Sequence, residues 1–306
     1  MRKTKHIVIA ILILLKLNLF ASSIDIIKKE HEIILSVPTM MDTGYHIQET
    51  NDMVDWYSIG DRSMGPKTHK INISKKAQSS FYRLLTWEME DEEIIIAIVG
   101  DSTVADLESN DFKFCGWGEA FPYIFNANVT VINFALAGLS TRNFLGGVDG
   151  KGSDSYWLNL LKRAKPHFVL MQFGIIDKTS KVPNKLTTIE EYKINYEILI
   201  NEIRNFGGTP IILSPVNRAV FDQNNQLVPW MGDRALAGQE VSTQHNVHFI
   251  DLNKITGKLY QELGPNGVSS VIAEGDKVHY SIEGAEVISK LIANCLPSYL
   301  KYFLEE

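Results

Sequence analysis

The sequence predicts an α/β fold, a doubly wound parallel five-stranded sheet with a small N-terminal β-rich module. Two patterns carry the larger part. Short runs rich in Ile and Val recur at 94–99, 129–133, 168–173, 210–213 and 247–250, the composition of strands buried on both faces. Helical stretches separate or follow them at 117–126, 155–164, 188–206, 231–245 and 281–299. A third pattern sets residues 24–90 apart. Tyr45 to Thr50 alternates, and short runs at 56–59, 71–73 and 81–84 are separated by Gly, Asp, Pro and Ser, with no helical period of useful length.

The order of elements divides the chain at 1–23, 24–90 and 91–306. Residues 1–23 begin with Arg2, Lys3 and Lys5, continue with an unbroken apolar run at 7–15 and end on Ala21, Ser22 and Ser23. This is the layout of a secretory signal peptide. The apolar run is short for a span of about 30 Å of hydrocarbon. Lys16 and Asn18 interrupt its extension, so export is expected over anchoring, to a secreted or periplasmic location without a membrane association after cleavage. No cysteine marks a lipid attachment there. The acidic run at 88–93 reads as a linker into the second domain.

Composition narrows the function classes. The chain has 306 residues, 45% of them hydrophobic and 22% charged, an ordinary globular balance for one sizeable core and a small extra unit. Without residues 1–23 it holds 26 basic and 36 acidic residues, a net charge of −10. That charge argues against nucleic acid as a partner. The two cysteines, Cys115 and Cys295, fit either a bridge or buried thiols. No Cys/His cluster has metal spacing, so neither metal nor cofactor is expected.

In a doubly wound sheet, ligands sit beyond the carboxyl ends of the strands. The first such loop is Gly100-Asp101-Ser102-Thr103. Gly100 permits a sharp bend, and Ser102 there can aim its hydroxyl into the crevice. Taken alone, the tetrapeptide reads as a helix cap before it reads as a nucleophile. A serine nucleophile needs a base. Of the eight histidines, His6 lies in the leader, and His31, His46 and His69 lie in or before the β-rich module. His167, His245 and His248 fall at the amino side of the sheet. His279 remains, in a loop, with Asp276 three residues before it to orient the ring. An isolated Asp-x-x-His is usually structural; here it complements the Gly100–Ser102 turn.

Four blocks in order carry a resemblance. Gly100-Asp101-Ser102, Phe134 to Ser140 with Gly138, Gln172 to Asp177, and Asp276-Lys277-Val278-His279 resemble the signature blocks of SGNH/GDSL hydrolases. "GDSTVAD", "GWGEAF" at 116–121, "GLSTRNF" at 138–144, "SPVNR" at 214–218 and Asp251-Leu252-Asn253 look more narrowly like rhamnogalacturonan acetylesterases. The resemblance spans about 94–298. It implies a flavodoxin-like hydrolase domain, a Ser102–His279–Asp276 triad and backbone oxyanion donors at Ser102 and Gly138. It also implies an acetylated polysaccharide or oligosaccharide substrate, with pectic rhamnogalacturonan first. The family's third block, F-G-H-N-D, adds an asparagine donor. This chain reads Phe173-Gly174-Ile175-Ile176-Asp177, so Ile176 stands at that position and offers none. Lys178 and Asn217 are candidates for the missing contact. The alternative is a glycan-binding protein with an impaired active site.

Arg142 and Arg218 are candidate carboxylate forks for a uronate, and Trp117 a candidate sugar platform, each competing with a packing role. In the β-rich module, Asp52-Met53-Val54-Asp55-Trp56 and Phe81-Tyr82-Arg83-Leu84 resemble small β-modules of secreted bacterial proteins. There Trp56 and Tyr57 are candidate glycan contacts, and packing is the commoner fate of such aromatics. Asn72 and Asn128 begin N-glycosylation sequons, relevant only in a glycosylating host. A nucleotide-binding reading fails for want of a G-x-G-x-x-G after the first strand. An α/β-hydrolase reading lacks its G-x-S-x-G elbow.

Overall fold

A computed structural model describes the chain continuously over residues 79–107, 114–146 and 155–305, and before residue 79 in separate segments. The described chain forms two compact units, Met1–Glu92 and Glu93–Glu306.

Among its described residues the first unit is strands followed by one 3₁₀ turn, Met89–Asp91, within the acidic run read as a linker. β1 (Val8–Ile13), β4 (Thr43–Thr50), β5 (Tyr57–Ser58), β6 (Ser63–Met64) and β8 (Ser79–Glu88) make one sheet, ordered β1-β8-β4-β5 with β6 also on β4. β2 (Asp25–Lys29), β3 (Glu32–Val37) and β7 (Lys67–Asn72) make an antiparallel second sheet. β1 falls within the stretch read as an export leader and pairs in parallel with β8. Tyr45, His46 and Ile47 of β4 are buried, and the Arg62 guanidinium lies 4.9 Å from the Trp87 ring centroid. Trp56 and the Tyr57 side chain, named above as glycan contacts, lie outside the described residues.

The second unit is the doubly wound α/β domain that the sequence predicts. Its strands are β9 (Ile94–Gly100), β10 (Val129–Asn133), β11 (Phe168–Gln172), β12 (Thr209–Leu213) and β13 (His248–Ile250). All pair in parallel, in the order β10-β9-β11-β12-β13. This is the flavodoxin-like 2-1-3-4-5 order, whose switch point lies beside the first strand. β11 and β12 are buried along their whole length, Val169, Leu170, Ile211, Ile212 and Leu213 packing beside Phe168 and Met171. Each large aliphatic side chain so buried contributes about 1.5–3 kcal/mol relative to exposure.

Among the described residues eight helices wrap the sheet: α1 (Thr141–Phe144), α2 (Tyr156–Ala164), α3 (Ile175–Thr179), α4 (Ile189–Asn205), α5 (Gly232–His245), α6 (Leu252–Gly267), α7 (Ile282–Ala293) and α8 (Ser298–Lys301). α4 buries the predicted stripe Tyr192, Tyr196, Leu199, Ile200 and Ile203. Its start is a capping box: Thr188 Oγ1 accepts from Glu191 N, and Glu191 accepts from Thr188 N.

Two helical expectations are corrected, and a further long helix was not expected. Residues 117–126 form two 3₁₀ turns, Trp117–Glu119 and Phe121–Ile124, with Pro122 in the second. The predicted 281–299 helix stops at Ala293, and Pro297, which has no N–H to give, starts α8 afresh. The sequence reading also passed over α6. Its buried positions Leu252, Thr256 and Tyr260 are only partly apolar, and Gly264-Pro265 kinks its end.

Thr188 is exposed and its hydroxyl accepts from Glu191 N, so Thr188→Ala tests the capping box. Urea unfolding should show a loss of about 1 kcal/mol. A midpoint identical to wild type would mean that the box contributes nothing.

Candidate active site

The loop after β9 is built around Gly100. A Cβ there would come 2.4 Å from the Gln172 carbonyl oxygen of the neighbouring strand and 2.6 Å from Val104, so only glycine permits this approach. The following turn is held by a buried polar chain. Trp117 Nε1 donates to Gln172 Oε1 (2.7 Å), Gln172 Nε2 to Thr103 Oγ1 (2.6 Å), and Thr103 Oγ1 to Asp101 Oδ1 (2.7 Å). Asp101 Oδ1 also accepts from Thr103 N, and its carbonyl accepts from Val104 N and Ala105 N. Every group fixing this turn belongs to a residue other than Ser102. The Ser102 hydroxyl is thereby left for other partners.

Its partner is His279. The Ser102 Oγ to His279 Nε2 distance is 2.8 Å, and His279 Nδ1 lies 2.9 Å from Asp276 Oδ2. The three residues picked out from the sequence thus form one hydrogen-bonded line. Asp276 is held by its own loop: Oδ1 accepts from the N–H groups of Lys277 (2.6 Å), Val278 (2.7 Å) and His279 (2.9 Å). Burial alone would raise the Asp276 carboxyl. The hydrogen bonds from His279 and Val278, with the His279 ring, outweigh it and bring the carboxyl down to about 2. The Asp276–His279 loop is tied to the first loop by the antiparallel bridge between Cys115 and Tyr280. Beside that bridge, Phe114 stacks on the His279 ring, centroids 4.4 Å apart and planes at 23°. Sequence reasoning missed Phe114, whose role depends on a contact 165 residues away.

The loop after β10 comes next. Leu136 N donates to Gly100 O (3.1 Å), joining it to the serine turn. Gly138 adopts φ +76°, a left-handed conformation that favours glycine. Among the described residues, neither the Ser102 N–H nor the Gly138 N–H donates to a protein acceptor. The end of this loop is clamped by Asp177. Its carboxylate accepts from Thr141 N (3.2 Å), from Thr141 Oγ1 in a short contact, and from Thr187 Oγ1 (3.1 Å). Tyr192 and Tyr196 hold the end of β11 through the carbonyl (2.8 Å) and N–H (3.1 Å) of Phe173.

A model of the GDSL-like lipase/acylhydrolase family matches residues 98–287, which contain all of these loops. The chain belongs to that family. A rhamnogalacturonan acetylesterase of Bacillus subtilis, RhgT, is 26% identical over 67% of this chain and 90% of its own length. Among solved structures, protein YxiM of the same organism matches with a TM-score of 0.57 at 19% identity, covering 87% of this chain and 79% of that one. The acetylxylan esterase Axe2 of Geobacillus stearothermophilus matches with a TM-score of 0.51 at 15% identity, covering 68% and 97%. An ester hydrolase of the GDSL-like family is therefore the enzyme class of this chain.

Against the family pattern, Ile176 stands half-buried in the first turn of α3 where the asparagine donor is expected, and Ile175 is buried. Of the two substitutes considered above, Lys178 is paired elsewhere, and Asn217 faces α6, its Nδ2 3.1 Å from where a Cβ on Gly257 would be. Lys178 Nζ pairs with Asp233 at 2.8 Å. Asn217 is buried, with Oδ1 accepting from Arg218 N and its backbone N–H donating to Thr256.

Trp117 is corrected as a sugar platform. It is fully buried, its indole N–H is consumed by Gln172, and its ring packs edge-on against Phe121. Arg142 is paired with Glu191 at 2.7 Å. Arg218 has its guanidinium over the Trp230 ring at 5.4 Å, and its Nε is buried without an acceptor among the described residues. The neighbouring Ala219 N donates to Lys277 O (2.8 Å), which places this arginine's loop against the Asp276–His279 loop. Cys115 and Cys295 are free thiols.

Asp101 offers a pH test. Burial pushes its carboxyl from 3.8 up to about 6, against two hydrogen bonds from Thr103, and its Oδ2 has no partner among the described residues. A carboxyl raised in the folded state binds more protons there than when unfolded, so its contribution to stability falls as pH rises through that interval. Asp101→Asn removes this dependence. The unfolding free energy of wild type minus that of the variant should drop by about 2–3 kcal/mol between roughly pH 4 and pH 7. A difference that is the same at both pH values contradicts an ionised, desolvated Asp101.

Proposed function

We propose that this chain is a carbohydrate acetylesterase in which Ser102 is the nucleophile, His279 the general acid–base and Asp276 its orienting carboxylate. The observation that carries the reading is the 2.8 Å contact between Ser102 Oγ and His279 Nε2, with Asp276 bonded to the ring's other nitrogen. In that geometry His279 takes the Ser102 proton as Oγ attacks the acetyl carbonyl. The tetrahedral oxyanion is met by the N–H groups of Ser102 and Gly138. His279 then protonates the departing sugar oxygen. A water activated by the same ring splits the acetyl-serine, and acetate leaves with Ser102 restored.

Asp276 holds the Nδ1 proton toward itself, so Nε2 faces the serine as an acceptor. Its carboxyl, lowered to about 2, stays ionised at neutral pH and stabilises the imidazolium.

The substrate is proposed as an acetylated polysaccharide, with pectic rhamnogalacturonan first, in keeping with the relative RhgT. Arg218, at the edge of the site, is the candidate fork for a uronate carboxylate. Export through residues 1–23, which would bring the enzyme to such a polymer, is part of the same proposal. Ile176 is the one observation favouring a second reading, a glycan-binding protein with impaired chemistry.

Acetate release from 4-nitrophenyl acetate and from acetylated pectin separates them. Ser102→Ala should abolish release from both, while Ile176→Asn should raise turnover by about 10- to 100-fold, short of or equal to the usual value of one oxyanion donor. Wild type that releases no more acetate than Ser102→Ala, yet still binds acetylated pectin, establishes the second reading instead.

A further inference from the structure

The turn Pro183–Lys185 lies against the loop that carries Gly138. Lys185 Nζ donates to the Gly138 carbonyl at 2.8 Å and stands 3.5 Å from where a Cβ on Gly138 would be. The chain behind this lysine is anchored. Thr187 N donates to Asp177 O (2.9 Å), Thr187 Oγ1 to the Asp177 carboxylate (3.1 Å), and Arg234 Nη2 to Thr187 O (2.6 Å). Asp177 also clamps Thr141, so one buried carboxylate sets both the glycine loop and the turn that presents the lysine.

Lys185 differs from two other cations on this edge of the sheet. Arg142 and Lys178 each have a carboxylate within 2.8 Å. Lys185 has none within ion-pair distance among the described residues, and its ammonium is spent on a backbone carbonyl of the glycine loop. A fixed positive charge beside this loop lowers the energy of negative charge developing there, without any reorganisation at the moment of reaction. Ile176 leaves the opposite need: the third block supplies no side-chain donor.

We propose that Lys185 compensates for Ile176, as a positioning residue that pins the Gly138 peptide and lends its charge to the oxyanion. It acts through Gly138 rather than by touching the substrate. The inference rests on Ser102 being the nucleophile. Its particular consequence is a dependence of Lys185 on Ile176, since a restored asparagine makes the lysine's contribution largely redundant.

The test is steady-state kinetics on 4-nitrophenyl acetate for Lys185→Met, Lys185→Gln and Lys185→Arg, each in the wild-type and Ile176→Asn backgrounds. In the wild-type background, Met and Gln should each lower kcat by about 10- to 100-fold with KM within about twofold, while Arg retains most of the activity. In the Ile176→Asn background the same losses should shrink to about threefold or less. Thermal melting identifies any variant that fails to fold, and the remaining neutral variant then decides. An unchanged kcat, or an equal loss in both backgrounds, overturns the role of Lys185 and leaves the esterase reading standing. A wild type without Ser102-dependent release overturns both together.

Discussion

The arrangement of this domain depends on a serine turn that is fixed without help from its serine. Ser102 and His279 meet at 2.8 Å across 177 residues of chain, a contact that neither loop could hold by itself. What makes it possible is that Gly100 lets β9 and β11 approach, and that Trp117, Gln172, Thr103 and Asp101 close a buried chain of hydrogen bonds around the turn. Buried polar groups are costly when unpaired and stiffen a fold when paired in series. Here the stiffness is placed directly under the one hydroxyl that has to be aimed.

The parallel sheet was legible because its central strands β9, β11 and β12 are buried on both faces and written as nearly unbroken apolar runs, whereas β10 and β13 at the edges are only partly buried. Ser102, His279 and Asp276 were legible for a topological reason. Once the strands are placed, their carboxyl ends are known, and seven of the eight histidines fall elsewhere. Trp117 was misjudged because its fate is decided by Gln172, 55 positions away and on another strand. A local pattern carries no information about such a partner. The 3₁₀ turns around Pro122 and the partly polar buried stripe of α6 were missed because each departs from the regular period on which helix recognition rests. Lys185 and Phe114 belong to no motif at all; each is defined by what lies opposite it in space.

Asp177 shows how a single side chain couples two loops. Burial raises its carboxyl, opposed by the hydrogen bonds from Thr141 and Thr187 and by the charge of Arg234. Those donors come from the start of α1 and from the residue preceding the α4 cap, so the carboxylate joins the Gly138 loop to the segment bearing Lys185. Removing the carboxylate would leave the Thr141 N–H and two hydroxyls to find new acceptors in a dry environment, a cost larger than the worth of any one of these bonds. The glycine loop is thus located by a residue of the third block, although that block's usual donor is absent.

The two aspartates flanking the Ser102–His279 pair are driven in opposite directions by their surroundings, and this assigns their tasks. Asp101 is fully buried, one of its oxygens has no partner among the described residues, and burial lifts its carboxyl to about 6. Asp276 is partly open, accepts three backbone N–H groups on one oxygen, and falls to about 2. Ionised Asp276 adds stability at neutral pH that is lost as pH falls from about 4 towards 2, because its folded value lies below its unfolded one. Ionised Asp101 does the reverse, being tolerated at neutral pH only because the Thr103 bonds offset part of its desolvation. A counter-charge for a protonated His279 has to be ionised whenever the histidine works, and only Asp276 meets that condition with a margin. Asp101, next in sequence to the serine, is therefore a scaffold for the turn, and Asp276, 174 residues away, is the electrostatic partner of the ring.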